Sequence, residues 1–538
     1  MSHPFLPLLA LLSACGTEPT RLPGDRGDPP SATAPAPVLK RLTAAQYRNS
    51  VQDLLGEGLL LPTSLEPDAA VEGLYALGAG VGDVSSWGVE KYEEAAFDLA
   101  EQALADPAIQ AALVPCTPTG AVDSACARAA LDALGARAWR RPLTADELDV
   151  LVGLADGAGA TLGDFDQGLA YAVAALLQSP HFLYRVELGE ADPADPAARR
   201  FSDYEMATRL SYFLWNTTPD DALLAAAAAG ELTDDAGLAT QVERLLADER
   251  SDQGVRAFFS EYLRLYELPD VSKDPTVYVH WSSDLPDAAA EETLLGIDAL
   301  VFEERGPLQD LLTSQRTFVD RRLAAIYDVA APERDGHGEV WLPDDGGRRG
   351  LLGQVSFLAL QAHSVSTSVT NRGLFVREVL LCQPLPDPPA DANTAIPAVS
   401  EDALTMRDRI AVHLEDPSCA SCHSITDPIG LGFENYDGVG RFRLTENGAT
   451  IDPSGELDGV AFTDAWTLGQ TIADHGSFAE CFTKTVYKYA TGQLLEDGQD
   501  DLIDWHSAGF GYELYRVLPL LRDIALSPGF RAAGEVVP

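Results

Sequence analysis

The sequence predicts a mainly α, multi-domain helical protein that carries one CxxCH module and a small β-hairpin. Apolar residues recur at helical spacing along most of the chain, whereas the alternation that is typical of strands is scarce. With 538 residues, the chain is too long for a single compact core. Its composition, 46% hydrophobic and 22% charged, predicts that most of it folds.

Local signals indicate where several elements begin and end. Residues 42–56 carry a helical stripe of apolar side chains and stop at Gly56. The segments 144–147 (TADE) and 202–205 (SDYE) are capping boxes, which predict the starts of two further helices. Turn residues separate short extended pieces within residues 440–462 and predict the hairpin.

Acidic residues dominate the charge of the chain. Asp and Glu total 83 against 37 Lys and Arg, which leaves a formal net charge of −46. The excess is spread along the sequence rather than gathered in a tail. Such a surface repels phosphate backbones and anionic headgroups, so we expect no nucleic-acid partner and no charge-driven binding to a membrane surface.

The N-terminus predicts export. A short apolar run, residues 5–12, ends in LSACG around Cys15, which resembles the bacterial lipoprotein signal, in which the cysteine after the cut carries lipid. We therefore expect a signal peptide with lipobox at 1–15 and a flexible tether at 16–38. No later segment offers 18 uninterrupted apolar residues. The predicted location is extracytoplasmic and lipid-anchored, at the outer membrane facing the periplasm or the cell surface, with a cleaved secreted form as the alternative.

Export changes the expected fate of the cysteines that are left after Cys15. In an oxidising compartment, cysteines normally form disulfides. Cys116 and Cys126 flank a Thr-Pro-Thr-Gly turn and predict a local bridge. Cys382 and Cys481 are the second predicted pair, one on either side of the CxxCH module.

The segment Cys419-Ala-Ser-Cys422-His423 has the spacing that a covalently bound haem needs. On a helix, positions i and i+3 share one face, so both sulfurs can reach the same edge of a porphyrin. A histidine at i+4 continues that face as the proximal iron ligand. In an exported chain the motif predicts one haem c, attached through Cys419 and Cys422 with His423 on the iron.

Other interpretations of the CxxCH motif have less support from the sequence. A structural zinc site normally repeats its ligand pair, and no second pair is present. A redox disulfide between Cys419 and Cys422 would need a thioredoxin-like βαβ pattern, which is missing. A hydrolase is disfavoured because the chain has no GxSxG, HExxH or phosphate-loop motif.

The sixth iron ligand is left open between histidine and no protein ligand. The chain has only three methionines, and none follows the CxxCH motif. His363 and His413 are the alternative distal candidates. An open position would suit catalysis, whereas two histidines would suit electron transfer.

Ordered motifs along the chain resemble one known family. They are RLTAAQYRNSVQDLLG, RAWRRPLTADEL, LLQSPHFLYRVELG, RLSYFLWNTTPDDALLAAAAAGEL, TSVTNRGLFVREVLLCQPLPDPP, CASCHSITDPIGLGFENYDGVGRFR and CFTKTVYKYATGQ. The sequence is similar to the planctomycete and myxobacterial cytochrome-c-associated multidomain proteins, which are built from domains of unknown function 1587, 1595, 1592, 1588 and 1585 in series. The resemblance implies an exported, largely helical protein with one cytochrome c-like haem module.

The resemblance also implies a division of the chain into domains. The implied units are helical domains at 39–110 (1587-like), 111–190 (1595-like) and 191–328 (1592-like), a cytochrome-like haem domain at 345–446 (1588-like) and a C-terminal helical domain at 447–538 (1585-like). Within the haem domain, Asp427-Pro428 and Gly430 are expected to end the haem helix. Tyr436 is a candidate for packing on the macrocycle and Arg441 for pairing with a propionate, with a structural corner as the alternative.

These features predict an exported, lipid-anchored c-type haem protein that acts in electron transfer or as a haem c-dependent oxidoreductase outside the cytoplasm. Its partner would be a redox protein or substrate in the periplasm or at the cell surface, and its only membrane contact would be the N-terminal lipid. The alternative is a cell-surface binding or scaffold lipoprotein in which the CxxCH site is structural or binds zinc.

Overall fold

The computed structural model describes residues 27–31, 34–193, 198–344, 347–386, 396–415 and 417–535. The structure is 56% helical, and its strands form only small two-stranded sheets. The mainly α fold class predicted from the helical periodicity is therefore confirmed. The predicted signal peptide, including Cys15, lies outside the described residues.

The N-terminal helices build a hydrophobic core of their own. These helices are α1 (Ala44–Leu55), α2 (Tyr75–Gly78), α3 (Ser86–Ala105), α4 (Pro107–Leu113), α5 (Ser124–Ala138), α6 (Ala145–Leu162), α7 (Phe165–Leu177) and α8 (Pro180–Leu183). The short α2 is the exception, because its buried side chains face the second core described below. Thr144 caps α6 in a capping box with Glu147, as the sequence predicts. A disulfide joins Cys116, in the segment before α5, to Cys126 in the first turn of that helix. This is the local bridge that the sequence predicts.

A second, larger core consists mainly of residues after 200, with α2 as an additional contributor. Its first helices are α9 (Asp203–Leu214), α10 (Asp221–Ala228), α11 (Asp235–Ala247), α12 (Arg250–Tyr262), α13 (Leu285–Asp298) and α14 (Asp310–Thr313). The start of α13 packs instead with α15 (Arg321–Tyr327) in a smaller satellite core. The predicted capping box of Ser202 with Glu205 opens α9.

The CxxCH motif lies on the last of four α-helices that follow, which is also the longest of the four. These are α16 (Val355–Leu360), α17 (Val369–Phe375), α18 (Met406–Ile410) and α19 (Pro417–Leu431). The C-terminal helices then return to the large core as α20 (Ala465–Ala473), α21 (Gly476–Thr491), α22 (Asp500–Tyr512), α23 (Val517–Leu526) and α24 (Pro528–Arg531). The predicted Cys382–Cys481 disulfide joins the segment after α17 to α21. The haem-motif region is thus tied covalently to the C-terminal helices.

All the described sheets are antiparallel pairs. They are β1 (Lys40–Arg41) with β2 (Tyr184–Arg185), β3 (Glu190–Ala191) with β4 (Arg199–Arg200), β5 (Arg316–Val319) with β6 (Gly338–Trp341), β7 (Thr445–Glu446) with β8 (Ala449–Thr450), and β9 (Gly455–Leu457) with β10 (Val460–Phe462). The hairpin predicted within residues 440–462 is therefore a pair of consecutive hairpins. The second of them packs against α19 through β9.

A buried ion cluster connects the two ends of the described chain. The Nζ atom of Lys40 donates hydrogen bonds to Glu187 (2.8 Å) and to the carbonyl of Thr491 (2.7 Å). Arg209 donates to the same Glu187 carboxylate. Burial lowers the pKa of Lys40 to about 8, and the neighbouring Glu187 opposes that shift. The cluster holds β1 against α21, although more than four hundred residues separate them.

Candidate haem site

Helix α19 carries both cysteines and the histidine of the CxxCH motif. Cys419, Cys422 and His423 occupy positions i, i+3 and i+4, so all three lie on one face of the helix. All three side chains are half-buried, and neither cysteine belongs to a disulfide. The helix thus presents two thiols and an imidazole on one partly accessible surface.

Close backbone packing holds α19 against α17. Gly373 of α17 lies on the carbonyl of Thr426, and Gly430 of α19 lies on the carbonyl of Val369. A Cβ atom at either glycine would overlap the facing oxygen. The two glycines therefore allow an approach that sets the distance between the haem-motif helix and α17.

The haem helix does not end at Asp427-Pro428 as predicted, but it does end one residue after Gly430, the third residue of that prediction. The helix runs from Pro417 to Leu431, with Pro428 inside it. Proline removes one backbone donor and normally ends a helix. Here tertiary packing overrides that preference, because Ile429 is fully buried and Gly430 is locked against Val369, which keeps the last turn helical.

His423 is oriented by a carboxylate one turn along α19. Its Nδ1 atom lies 2.9 Å from Oδ2 and 3.0 Å from Oδ1 of Asp427. The side chain of Asp427 is 4% exposed, and Thr370 of α17 donates a hydrogen bond to its Oδ1 atom (3.1 Å). The bond to Asp427 raises the pKa of His423, and burial of the ring opposes that shift. With Nδ1 engaged in this way, Nε2 is the ring atom that is left to bind a metal.

His413 is the distal candidate that the structure brings to this site. It lies on a 3₁₀ turn, Ala411–Leu414, directly before α19, and its ring centroid is 4.6 Å from that of His423. The potential ligand atoms of His413, His423 and Asp427 all lie within 4.8 Å of one another. Among the described residues, the buried Nδ1 atom of His413 has no hydrogen-bond partner.

The other distal candidate, His363, lies elsewhere. Its side chain is exposed on the loop after α16, and its carbonyl accepts a hydrogen bond from Lys273 (3.0 Å). The part of its ring that the chain covers, together with the charge of Lys273, lowers the pKa of His363 although most of the residue is exposed. It does not belong to the cluster of His413, His423 and Asp427. Of the two histidines proposed from sequence, the structure groups only His413 with the motif.

The methionines offer no competing ligand within the described chain. Met206 and Met406 are each only 1% exposed and pack in hydrophobic cores.

Tyr436 and Arg441 form a structural corner after α19. Tyr436 is buried, its hydroxyl donates to the carbonyl of Gly347 (2.9 Å), and its ring packs under Arg348. The side chain of Arg441 is exposed, and its backbone N–H donates to Asp437. The geometry corresponds to the corner that the sequence left as the alternative to contact with a haem.

Arg372 organises that corner from the inside. Its guanidinium is completely buried and donates to the carbonyls of Phe433 (3.0 Å), Tyr436 (3.1 Å) and Asp437 (2.8 Å). Because Arg372 belongs to α17, the same helix that packs on α19 also fixes the chain that leaves it. The haem-motif helix is therefore held along its length and at its C-terminal end.

The opposite face of α19 borders an open cavity of about 510 Å³. Ser424, Ile425 and Pro428 line it on the helix side, and Arg377 and Asp458 line it on the other. Ser424 and Pro428 project away from the motif face, whereas Ile425 lies one turn along the helix from Cys422. Cys419, Cys422 and His423 themselves do not line this cavity.

The residues present fit a covalently attached haem. The donor set is two thiols that lie outside both disulfides and one imidazole whose Nδ1 is already hydrogen-bonded. A metal-binding histidine normally donates the N–H of its second ring nitrogen to a carboxylate or carbonyl, and Asp427 lies where it would accept that bond from His423.

Family comparisons cover most of the chain. Models of proteins of unknown function match residues 40–105 (DUF1587, PSD3), 126–187 (DUF1595, PSD5), 201–329 (DUF1592, PSD4) and 348–446 (DUF1588, PSCyt3). These are four of the five predicted domains, in the predicted order. Together the four matches reproduce the predicted domain architecture of the planctomycete cytochrome-c-associated multidomain proteins. The 1585-like assignment of residues 447–538 stays a prediction.

In this family architecture, the CxxCH helix lies inside the DUF1588 match. No curated protein and no solved structure matches the chain. None of the helices in the described part of the chain combines the length and the hydropathy that a membrane-spanning segment needs.

Sequence reasoning missed Asp427 and Thr370 as parts of the site. Asp427 was interpreted only as a helix-ending residue. The available signal was its spacing, because a carboxylate four residues after a histidine on one helix lies within hydrogen-bonding reach of it. Thr370 gave no such signal, since its contact depends on how α17 crosses α19.

Proposed function

We propose that this protein is an exported c-type haem protein that acts in electron transfer or as an oxidoreductase outside the cytoplasm. Cys419 and Cys422 would attach one haem, and His423 would bind its iron through Nε2. The observation that carries the proposal is the arrangement on α19, where both thiols and an imidazole with an engaged Nδ1 share one face. The bound haem would supply a one-electron Fe(III)/Fe(II) couple.

Cysteine usage supports the assignment. The other four cysteines of the described chain form two disulfides, which is how an oxidising compartment treats a cysteine pair with suitable geometry. Cys419 and Cys422 lie outside both bridges. In an exported chain, attachment to a haem accounts for two thiols that are kept close together without forming a disulfide.

The chain's own residues would orient and support the cofactor. Asp427 holds the imidazole of His423, and the glycine contacts between α17 and α19 set the position of the helix. His413 would be the distal ligand, because of the two candidates only its ring lies near that of His423 and its buried Nδ1 lacks a partner among the described residues; the two rings would have to move apart to bind one iron from opposite sides. Ligation by two histidines favours electron transfer over catalysis at an open iron.

Location and partners follow from the sequence. We propose lipid attachment at Cys15, after the signal peptide, as the only membrane contact, at the outer membrane and facing the periplasm or the cell surface. The redox partner would be a protein or substrate in that compartment. Cys15→Ser should abolish lipidation and move the protein from the membrane to the soluble fraction, and unchanged fractionation would contradict the anchor.

The haem is tested on protein exported in a host that has the cytochrome c maturation machinery. We expect a c-type pyridine haemochrome, peroxidase staining that survives denaturing electrophoresis, and a mass increase of one haem. Cys419→Ala and Cys422→Ala should each leave at most one thioether bond, and His423→Ala should lose the proximal ligand. Cys116→Ser with Cys126→Ser is the control, because it removes two cysteines that form a disulfide outside the CxxCH motif and should keep the haem.

One observation favours a second candidate, a binding or scaffold lipoprotein with a zinc site. His413, His423 and Asp427 offer three zinc-compatible donors within 4.8 Å of one another. Three donors are fewer than the four of a structural zinc site, so haem is the better match to the residues. Stoichiometric zinc without haem in correctly exported protein would favour this candidate, and His413→Ala should then abolish metal binding.

A further inference from the structure

We propose that Asp427 is a positioning residue that selects the ring tautomer of His423 and lowers the reduction potential of the haem iron. The inference rests on the proposed function, because a potential exists only if a haem iron is bound to His423. It goes further in stating how this chain would set the driving force of the electron transfer.

The geometry makes Asp427 an acceptor for His423. Both carboxylate oxygens lie within hydrogen-bonding distance of Nδ1, at 2.9 and 3.0 Å. An ionised carboxylate can only accept, so the proton of a neutral imidazole must lie on Nδ1. The lone pair is then on Nε2, the atom that an axial ligand uses.

The local structure keeps this acceptor in place. The Asp427 side chain is 4% exposed, so water competes little for its oxygens. Thr370 donates to Oδ1 at 3.1 Å, and the hydroxyl of the neighbouring Thr426 donates to the same atom at 3.3 Å. The glycine contacts between α17 and α19 hold Thr370 at this distance.

A charged acceptor changes the ligand electronically. When the Nδ1 proton is shared with a carboxylate, the imidazole gains electron density. Its Nε2 atom then donates its electron pair to the iron more strongly. A stronger donor stabilises Fe(III) more than Fe(II), so the reduction potential falls. The hydroxyl of Thr370 moderates this effect, because it withdraws electron density from the same carboxylate.

Removing the contact of Asp427 with His423 and removing the contact of Thr370 with Asp427 should shift the reduction potential in opposite directions. Asp427→Asn keeps the shape but replaces the charged acceptor with a neutral one, so the midpoint potential of the holoprotein should rise. Thr370→Val removes a donor to the carboxylate and should lower it. Substitutions of residues that support a metal ligand typically change metal affinity or activity by about 10–100-fold. A 10-fold change in the preference of the site for Fe(III) over Fe(II) would correspond to about 59 mV for a one-electron couple.

Spectroelectrochemical titration of the wild type and the variants provides the test. Asp427→Glu, which restores a carboxylate, should recover part of the shift caused by Asp427→Asn. A merely structural role for Asp427 would move both Asp427→Asn and Thr370→Val in the same direction. Equal potentials in the wild type and Asp427→Asn, or shifts of one sign, would overturn the proposal.

A measurement on the haem-free chain separates this inference from the proposed function. In ¹⁵N-histidine-labelled protein, which has nine histidines, the signal of His423 can be assigned with His423→Asn. The nitrogen shifts should report Nδ1–H in the wild type and a mixture of tautomers in Asp427→Asn. If the wild type binds no haem, the proposed function fails, but the tautomers still decide the role of Asp427. Identical tautomer populations in both proteins would reject that role.

Discussion

Gly430 of α19 lies directly against the carbonyl oxygen of Val369 in α17, so closely that a methyl group at position 430 would overlap that oxygen. Val369 itself belongs to a small apolar cluster with Met406, Ile410 and Leu431. This contact therefore joins α17, α18 and α19 around the CxxCH motif. The two helices can approach this closely only because residue 430 has no side chain. Adding a single methyl group at that position therefore tests the contact.

We expect Gly430→Ala to destabilise the haem-motif region by about 1–3 kcal/mol, the usual cost of forcing extra volume into a packed site. Thermal unfolding should start at a lower temperature, and the yield of covalently attached haem should fall. Gly157→Ala is the matched control. Its Cβ would meet no atom within 4 Å, and alanine in the interior of α6 should raise helix stability slightly. A Gly430→Ala protein with wild-type melting would contradict the close packing.

The distal ligand is tested by two histidine substitutions. If His413 binds the iron, His413→Ala should convert a low-spin spectrum to high-spin and allow carbon monoxide to bind. His363→Ala should change neither property, because the structure leaves that side chain exposed and outside the cluster. The oxidised spectra of the wild type and of both variants should lack the far-red charge-transfer band that methionine ligation produces. Carbon monoxide binding by the wild type would instead indicate an open site and favour catalysis.

The two disulfides should differ in their contribution to stability. Cys116–Cys126 closes a loop with a sequence separation of 10, whereas the separation for Cys382–Cys481 is 99. Loop-closure entropy then predicts losses of about 3 and about 5 kcal/mol when each bridge is removed. Paired Cys→Ser variants, compared by thermal unfolding, should show the larger decrease for Cys382 and Cys481. An equal decrease would show that loop entropy does not govern these bridges.

A buried carboxyl group in α13 should make stability depend on pH. Glu292 is fully buried and accepts hydrogen bonds from Thr317 and Tyr327, both at 2.6 Å. Burial raises its pKa to about 7, and the two hydrogen bonds oppose that shift. The folded chain therefore holds a proton that the unfolded chain has already lost, and the associated stability is lost as pH rises from about 4.5 to about 7.

Glu292→Gln should remove this dependence. Relative to the variant, the wild type should lose up to about 3 kcal/mol between pH 5 and pH 8. Melting temperatures at the two pH values provide the measurement. Asp287→Asn, an exposed position on the same helix, controls for the loss of one negative charge. A difference in melting temperature between the wild type and Glu292→Gln that is the same at both pH values would contradict the raised pKa.

Several features of this protein depend on neighbours in the sequence and could be predicted from it. The capping boxes at Thr144 and Ser202 need only residues three positions further on. The Cys116–Cys126 bridge closes a short local loop. The CxxCH spacing places its side chains on one face because a helix has a regular repeat. The helical fold class follows from similar local patterns, whereas the order of the domains was implied by the family resemblance.

The sequence by itself thus determined that a helix presents Cys419, Cys422 and His423 together. The tertiary structure alone decided that this helix continues through Pro428, that His413 rather than His363 lies beside the motif, and that Asp427 is supported by Thr370. The physical reason is that each of these outcomes depends on contacts between segments whose approach no local pattern specifies. Backbone packing of α17 on α19 overrides the helix-breaking preference of proline and sets which polar groups meet.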